Sequence, residues 1–423
     1  MSIKQHIYSV IALAVSILPA RFVAQWVINH LSLVRKNSGP KVIVLDSGRF
    51  RDDLWGMVNF STMELYELPK EIQDRITRFV YYRNLRGDNE ASDPQKTEFL
   101  ENVLRSLRKQ MNAAAIISAA VYYKRNVLWE RACQEIGFPF VCLHRESAAE
   151  DPETLEKLVK ENRLELHREF FGHRIFAGSE HFKKALVESG YADAEKVIVT
   201  GLPRFDISHY WSSQINRSTE KCILLFSFMP AFSVPEVYEE LGVHVEAGFV
   251  ELFYSVHRAI ASLAVRNPEV KFVIKPKWYV GAWKEFIDKA VAKETNALPT
   301  FPSNLLIDDN EMAQDLINKA SLIVAFNSTT IVEAILQERI VLVPWYAEAL
   351  EKYSHNVFYR KYENAFLTAK SEEEFENTIQ AYINGTLVDE SDSEEFISNV
   401  MDRYDGKASA RIESTILSLQ SLG

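Results

Sequence analysis

The chain has 423 residues, with 48 lysines and arginines against 58 aspartates and glutamates, for a formal net charge of −10. Its composition, 47% hydrophobic, 12% aromatic and 25% charged, can bury enough apolar surface to offset chain entropy, which excludes disorder over most of the length. The acidic balance, with no dominant basic stripe, excludes a general nucleic-acid binder, and at about 100–200 residues per domain the length suggests two domains.

Residues 1–40 carry Lys4, Arg21, Arg35 and Lys36 and no acid, so they hold +4 and the remaining 383 residues hold −14. The apolar runs Ile7–Ala20 and Phe22–Val34 are each shorter than the ~20 residues a bilayer span needs, and Pro19 separates them. Leu18 stands where signal-peptide cleavage wants a small residue. The expectation is one or two membrane-associating helices lying in the interface, with Trp26 and the basic residues at headgroup level. The alternative is that these helices merely cap the soluble core.

From Lys41 the pattern changes to short β-branched runs separated by helical periods. KVIVLDSG (41–48) reads as a buried first strand and its turn. Further strands are predicted at 113–123, 138–144, 174–179 and 196–201, with helices at 97–111, 124–136, 151–163 and 180–189. After the polar stretch 212–221 a second series begins. Its strands are 222–228, 271–276, 304–308, 321–326 and 339–345, and its helices 245–266, 282–294, 311–320 and 328–337. Strands alternating with helices of this length imply βαβ units and parallel sheets. The tail differs: residues 371–405 hold eleven acids and a single basic residue, Arg403, a pattern that reads as a solvated helix face. A closing helix at about 394–420 is expected to pack back on the first domain. Cys133, Cys142 and Cys222 form no CxxC pair and are too few for a disulfide framework, so buried thiols and no structural zinc are expected.

In open α/β sheets, ligands sit outside the carboxyl ends of the strands, and four clusters occupy such positions. His144-Arg145-Glu146-Ser147 follows the 138–144 strand; Glu146 is there either a general base or a helix cap. In VTGLPRFD (199–206), Arg204 and Asp206 leave a constrained turn, either as reaction-centre groups or as an internal ion pair. VIKPKW (273–278) aims Lys275 and Lys277 at a site suited to a diphosphate or acidic sugar. AFNSTTIVEA (325–334) offers Asn327, Ser328, Thr329 and Thr330 at a helix start that favours a phosphate oxygen, with Glu333 one turn inside. Its plainer reading is an ordinary capping box.

The order strand–VTGLPRFD, strand–IKPK, strand–FNSTTIVEA, strand–VLVPW resembles GT-B glycosyltransferases of bacterial surface-carbohydrate loci, over about residues 110–350. The likeness is greatest to the branch containing capsule and O-antigen transferases, retaining β-Kdo transferases and CDP-glycerol glycerophosphotransferases. Where many of those have a basic residue plus His-Pro, this chain has Lys275-Pro276-Lys277.

The resemblance implies an α/β fold of two tandem Rossmann-like doubly wound domains with a C-terminal helix packing back on the first. The implied divisions are membrane-associating helices (1–40), an acceptor domain (41–215), a nucleotide-sugar domain (216–385), and an acidic segment with the return helix (386–423). It implies a sugar, possibly Kdo from CMP-Kdo, moved from a nucleotide donor to a growing cell-surface glycan. Ser328, Thr329 and Thr330 would contact donor phosphate together with Asn327, Glu333 the ribose, and Lys275 and Lys277 the donor charge. Glu146, Asp206, Arg204 and His144 would flank the reaction centre, with Asp206 as nucleophile or Glu146 as base left open. No DxD-type pair stands at a strand end, so neither a metal nor a further cofactor is expected. The partners would be the nucleotide sugar, a glycan or lipid-linked acceptor, and the membrane surface through residues 1–36, on the cytoplasmic side of the cell membrane. Three other readings share the architecture or the apolar start: a glycerophosphotransferase, a UDP-sugar 2-epimerase and a non-catalytic scaffold.

Overall fold

The computed structural model describes residues 19–84, 97–145, 155–166, 169–214, 221–230, 248–277, 281–295 and 302–421. The chain divides into two compact units, Met1–Asp206 with Met401–Gly423, and Ile207–Val400.

The first unit contains, in chain order, α1 (Ala20–Ile28), β1 (Ser32–Leu33), β2 (Lys41–Val44), α2 (Arg51–Phe60), β3 (Glu64–Glu67), α3 (Lys70–Asn84), α4 (Glu98–Met111), β4 (Ala113–Ser118), α5 (Val127–Glu135), β5 (Phe140–Leu143), α6 (Leu155–Leu166), β6 (Arg174–Ala177), α7 (Glu180–Glu188), β7 (Val197–Val199) and the start of α8 (Pro203–Ser213). Its sheet runs β1-β3-β2-β4-β5-β6-β7. Every pairing is parallel except that of the edge strand β1. All six residues of β4 are buried, as expected for a central parallel strand covered on both faces. In α4, Phe99, Leu100, Val103, Leu104, Leu107 and Met111 are buried, a helical stripe facing the core.

Helix α1 shows how the apolar N-terminal segment is used. Val23, Ala24 and Val27 join the core of this unit, and α1 packs on α4. Trp26 is half-buried beside Phe79, 6.2 Å between ring centroids, and not held out at the level expected for a headgroup contact. The described part of the segment therefore caps the core, because its only apolar stripe is spent there. Arg21 and Phe22 remain outward, Phe22 at 52% exposure. Residues 1–18 lie outside the described residues.

The second unit follows with β8 (Cys222–Phe226), α9 (Val250–Arg266), β9 (Lys271–Lys275), α10 (Gly281–Thr295), β10 (Leu305–Ile307), α11 (Ala313–Lys319), β11 (Leu322–Val324), α12 (Thr330–Leu336), β12 (Ile340–Pro344), α13 (Glu348–Glu351), β13 (Leu367–Ala369), α14 (Glu372–Asn384) and α15 (Glu394–Val400); α16 (Ala408–Ser421) belongs to the first unit. The sheet order is β10-β9-β8-β11-β12-β13, parallel throughout. This is the 3-2-1-4-5-6 order of dinucleotide-binding sheets, with its switch point between β8 and β11. The expected fold class is what the structure has: α/β, two tandem Rossmann-like doubly wound units, with the last helix returned to the first.

Two features of the tail differ from expectation. The single closing helix is two helices, α15 and α16, separated by a turn through Asp405 and Gly406, a pair that favours chain reversal. Residues 386–400 group with the second unit, because Phe396 packs edge-on against Tyr359, Tyr362 and Phe366. The acidic run becomes the first turn of α14, where Glu372, Glu373 and Glu374 suit the helix dipole and Ser371 accepts from the Glu374 amide. The division between units falls inside α8, after Asp206, earlier than the polar stretch 212–221, because Pro203–Asp206 are bound to the first unit.

Candidate functional site

The VTGLPRFD turn is a structural hub of the first unit. Gly201 adopts φ +77°, and a Cβ there would stand 2.9 Å from the Arg403 carbonyl. The Thr200 carbonyl accepts from Arg411 Nε at 2.9 Å, which ties the turn to α16. On the other side α2 comes so close that a Cβ on Gly56 would meet the Pro203 carbonyl at 2.2 Å.

One turn earlier on α2, Asp53 receives Arg204. Nε and Nη2 lie 3.1 Å from its two oxygens, with side-chain exposures of 6% for Arg204 and 1% for Asp53. Arg204 Nη2 also donates to the Arg145 carbonyl at 2.9 Å. Burial raises the Asp53 pKa, against the pull of the Arg204 guanidinium. The internal ion pair anticipated within the motif exists, but its acid is Asp53 and not Asp206.

Asp206 is 2% exposed and accepts from the amides of Ala408 and Ser409, at 2.9 and 2.8 Å, one on each oxygen. It therefore caps the first turn of α16, which places this carboxylate in the helix cap and away from the reaction-centre role expected of it. Burial raises its pKa while the two amides and Ser409 hold it down. His144 is fully buried, stacked 4.1 Å from Phe182 and edge-on to Tyr122, a core position. Glu146 lies outside the described residues. Arg204, Asp206 and His144 are thus brought into the framework beneath the strand ends.

At the carboxyl ends of β2 and β4 the structure adds a cluster the motifs did not reveal. Asp46, in the left-handed region at φ 59° and 3% exposed, accepts from Arg125 Nε at 2.8 Å and from Arg125 Nη2. It also accepts from Asn126 Nδ2 at 2.9 Å, and Gln73 Nε2 donates to Asn126 Oδ1 at 2.8 Å. The signal for it was the acid ending KVIVLD; Arg125, Asn126 and Gln73 had none.

In the second unit, strand register collects the predicted donor residues at one sheet edge. Phe226 pairs with Lys275 and Leu225 with Val324, so Ser227 stands at the edge with Lys275 and Lys277 on one side and Asn327–Thr330 on the other. Lys275 is half-buried and Lys277 exposed. Asn327 takes φ 46°, tolerable for Asn. Its side chain donates to the Asn356 carbonyl and accepts from the Phe358 amide, both at 2.9 Å, so it clamps the neighbouring loop. Ser328 Oγ accepts from Thr330 N at 3.2 Å and Thr330 Oγ1 at 2.8 Å, and Thr329 is the residue preceding α12.

Glu333 is 2% exposed and its Oε2 accepts from Gln314 Nε2 at 2.6 Å. It faces the α11 interface, so removing it costs stability as well as any ligand contact. Asp308 accepts from the Asn310 and Glu311 amides, both at 2.9 Å, and these bonds lower its pKa. It is a turn-forming group, as its position before a helix suggested.

Beneath this edge lies an aromatic cluster. Phe326 stands 5.0 Å from Phe228 and 4.9 Å from Phe249, and Phe253 lies 4.0 Å from the His257 ring. His257 is fully buried and burial lowers its pKa to about 4. As pH falls below the ordinary value near 6.5 the unfolded chain takes up this proton first. The stability tied to neutral His257 is therefore complete above ~6.5 and lost as pH falls towards 4, at up to about 1.4 kcal/mol per pH unit. Denaturation of the wild type and His257→Phe across pH 4–7 should diverge on acidification, the variant losing less; parallel curves would remove His257 from that role.

Among the described residues, no group of three or more His, Cys, Asp or Glu is placed to hold a metal ion, and no helix is long and apolar enough to cross a membrane. The three cysteines are buried thiols.

No family model and no curated protein matches the sequence. Among solved structures the chain is similar to S. aureus MnaA solved with UDP, at 13% identity over 91% of this chain and 98% of that one, TM-score 0.48. It is similar to the wall teichoic acid polymerase TagF, at 10% identity over 100% of this chain and 98% of that one, TM-score 0.48. It is also similar to the UDP-GlcNAc 2-epimerase of Methanocaldococcus jannaschii in complex with UDP-GlcNAc and UDP, at 10% identity over 91% of this chain and 100% of that one, TM-score 0.43.

Proposed function

We propose that this chain is a glycosyltransferase that takes a sugar from a nucleotide donor held by the second unit and adds it to a growing cell-surface glycan. The observation that carries the reading is the β10-β9-β8-β11-β12-β13 order, whose switch point is where such sheets hold nucleotides. A lysine and hydroxyls flank that point. The departing nucleotide is anionic, and Lys275 with the Ser328–Thr330 turn would offset its charge, while Glu146 would supply the carboxylate for an oxocarbenium-like centre. Asp206, Arg204 and His144 serve instead to fix the strand ends.

The sequence resemblance makes CMP-Kdo the first donor to test. The acid-free segment 1–36, with Arg21 and Phe22 outward, supports a lipid-linked acceptor at the inner membrane face as the partner.

The test is nucleotide release from CMP-Kdo, UDP-sugars and CDP-glycerol, with mass spectrometry of the products and a Lys275→Ala control. We expect sugar transfer, and about tenfold weaker nucleotide binding by Lys275→Ala from loss of one charge-assisted contact. Transfer of glycerol phosphate or conversion of a UDP-sugar to its 2-epimer would replace the reading, and no turnover of any donor would favour a scaffold.

A further inference from the structure

Ser227 closes β8 at the switch point of the second sheet and is half-buried. Its amide donates to the Lys275 carbonyl at 3.0 Å, which fixes the backbone. Its hydroxyl lies 2.9 Å from His257 Nε2, and the opposite ring nitrogen, Nδ1, lies 2.7 Å from the Phe253 carbonyl. A carbonyl can only accept, so Nδ1 carries the ring proton and Nε2 presents a lone pair. Burial keeps the imidazole neutral, with a pKa of about 4, so the ring has no second proton to give. Ser227 has one proton, and it goes to Nε2.

The hydroxyl is thereby polarised by the fold: its proton is committed inward and only lone pairs face the sheet edge. On the other side of the switch point Ser328 Oγ already accepts from the Thr330 amide and hydroxyl, which leaves its own proton for an anion. The two serines thus have opposite hydrogen-bonding sense. An imidazole held this far down is a poor general base at neutral pH, so the Ser227–His257 pair positions a hydroxyl and does not activate a nucleophile.

We propose that Ser227 Oγ reads a hydroxyl group of the nucleotide donor by accepting its hydrogen bond, with His257 as the residue that fixes this sense. The proposal rests on the nucleotide reading above and deepens it. Nucleotide phosphates at neutral pH have no proton for Ser227 to accept, whereas both the ribose and the transferred sugar carry hydroxyls. Lone pairs facing phosphate oxygens would repel, so the same feature keeps the phosphates on the Ser328 side.

The experiment is calorimetric titration of the full chain and its Ser227→Ala variant with CMP, CDP and UDP, their 2′-deoxy and 3′-deoxy forms, and the intact sugars CMP-Kdo and UDP-GlcNAc. Ser227→Ala should weaken binding of the best ligand by about tenfold, the scale of one hydrogen bond in a partly buried site. Ser227→Thr, which keeps the hydroxyl, should restore it. If the ribose is read, the penalty disappears with one deoxynucleotide. If the transferred sugar is read, the penalty is seen only with intact nucleotide sugars. Should Ser227→Ala fail to fold, the Ser227→Ala/His257→Phe variant, which leaves no unpaired imidazole, carries the same expectation. Wild-type binding with the same affinity in the Ser227 variants for every ligand overturns the proposal and leaves the nucleotide site standing. No binding of any ligand by the wild type overturns both.

Discussion

Replacing Arg204 by leucine should lower the unfolding free energy by about 3–5 kcal/mol, the range found when one partner of a buried ion pair is removed. The reason is Asp53. It is 1% exposed and its charge is met by Arg204 through two 3.1 Å contacts; without the guanidinium it is left buried and unpaired. The double variant Arg204→Leu/Asp53→Leu should be less destabilised than the sum of the two single changes, because the uncompensated charge is gone. Denaturant unfolding of the four proteins measures this directly. An Arg204→Leu protein as stable as wild type, with turnover lost, would return Arg204 to the reaction centre.

Asp206→Ala should lower stability by about 3–4 kcal/mol, since two hydrogen bonds to a charged acceptor are lost and two amides at the start of α16 are left buried. Ala408 and Ser409 are 2% and 0% exposed, so water cannot replace the carboxylate cheaply. Hydrogen exchange should show α16 opening first, with Asp206→Asn intermediate because it keeps one acceptor oxygen. Turnover per folded molecule should be nearly unchanged at a temperature where both proteins are native. A variant with an unaltered melting temperature and a loss of 10²-fold or more in rate would instead assign the carboxylate to transition-state stabilisation.

These two predictions bear on a motif that reads as chemistry in one dimension and as architecture in three. TGLPRFD has the marks of a functional loop: a glycine turn, a stiffening proline and two charged residues after a strand. Each mark is accounted for by packing, since Gly201 admits the Arg403 carbonyl, Arg204 neutralises Asp53 and Asp206 caps α16. The partners lie 151 and 202 residues away in the chain for Asp53 and Ala408. No local spacing could have named them.

What the sequence determined by itself was whatever depends on near neighbours along the chain. β-branched runs such as CILLF and KFVIK became β8 and β9 because a parallel strand buried on both faces needs a continuous apolar run, and the helices between them followed from 3.6-residue periodicity. The alternation was enough to give two doubly wound sheets. Where local signals were mixed the sequence was silent: ELYE is β3, although Glu64 and Glu67 break its apolar run, because pairing with β2 and a Tyr66–Glu64 hydrogen bond at 3.2 Å accommodate the acid. The tertiary structure alone decided which polar side chains meet. Helix α1 could have laid its stripe on lipid until α4 was there to cover it. Likewise Ser227 and His257, unremarkable 30 positions apart, acquire a defined hydrogen-bonding sense only because α9 packs its buried ring against the end of β8. A side chain's charge is written in the chain; its partner, and so its task, is fixed by which strand ends and helices the packed core brings within three ångströms.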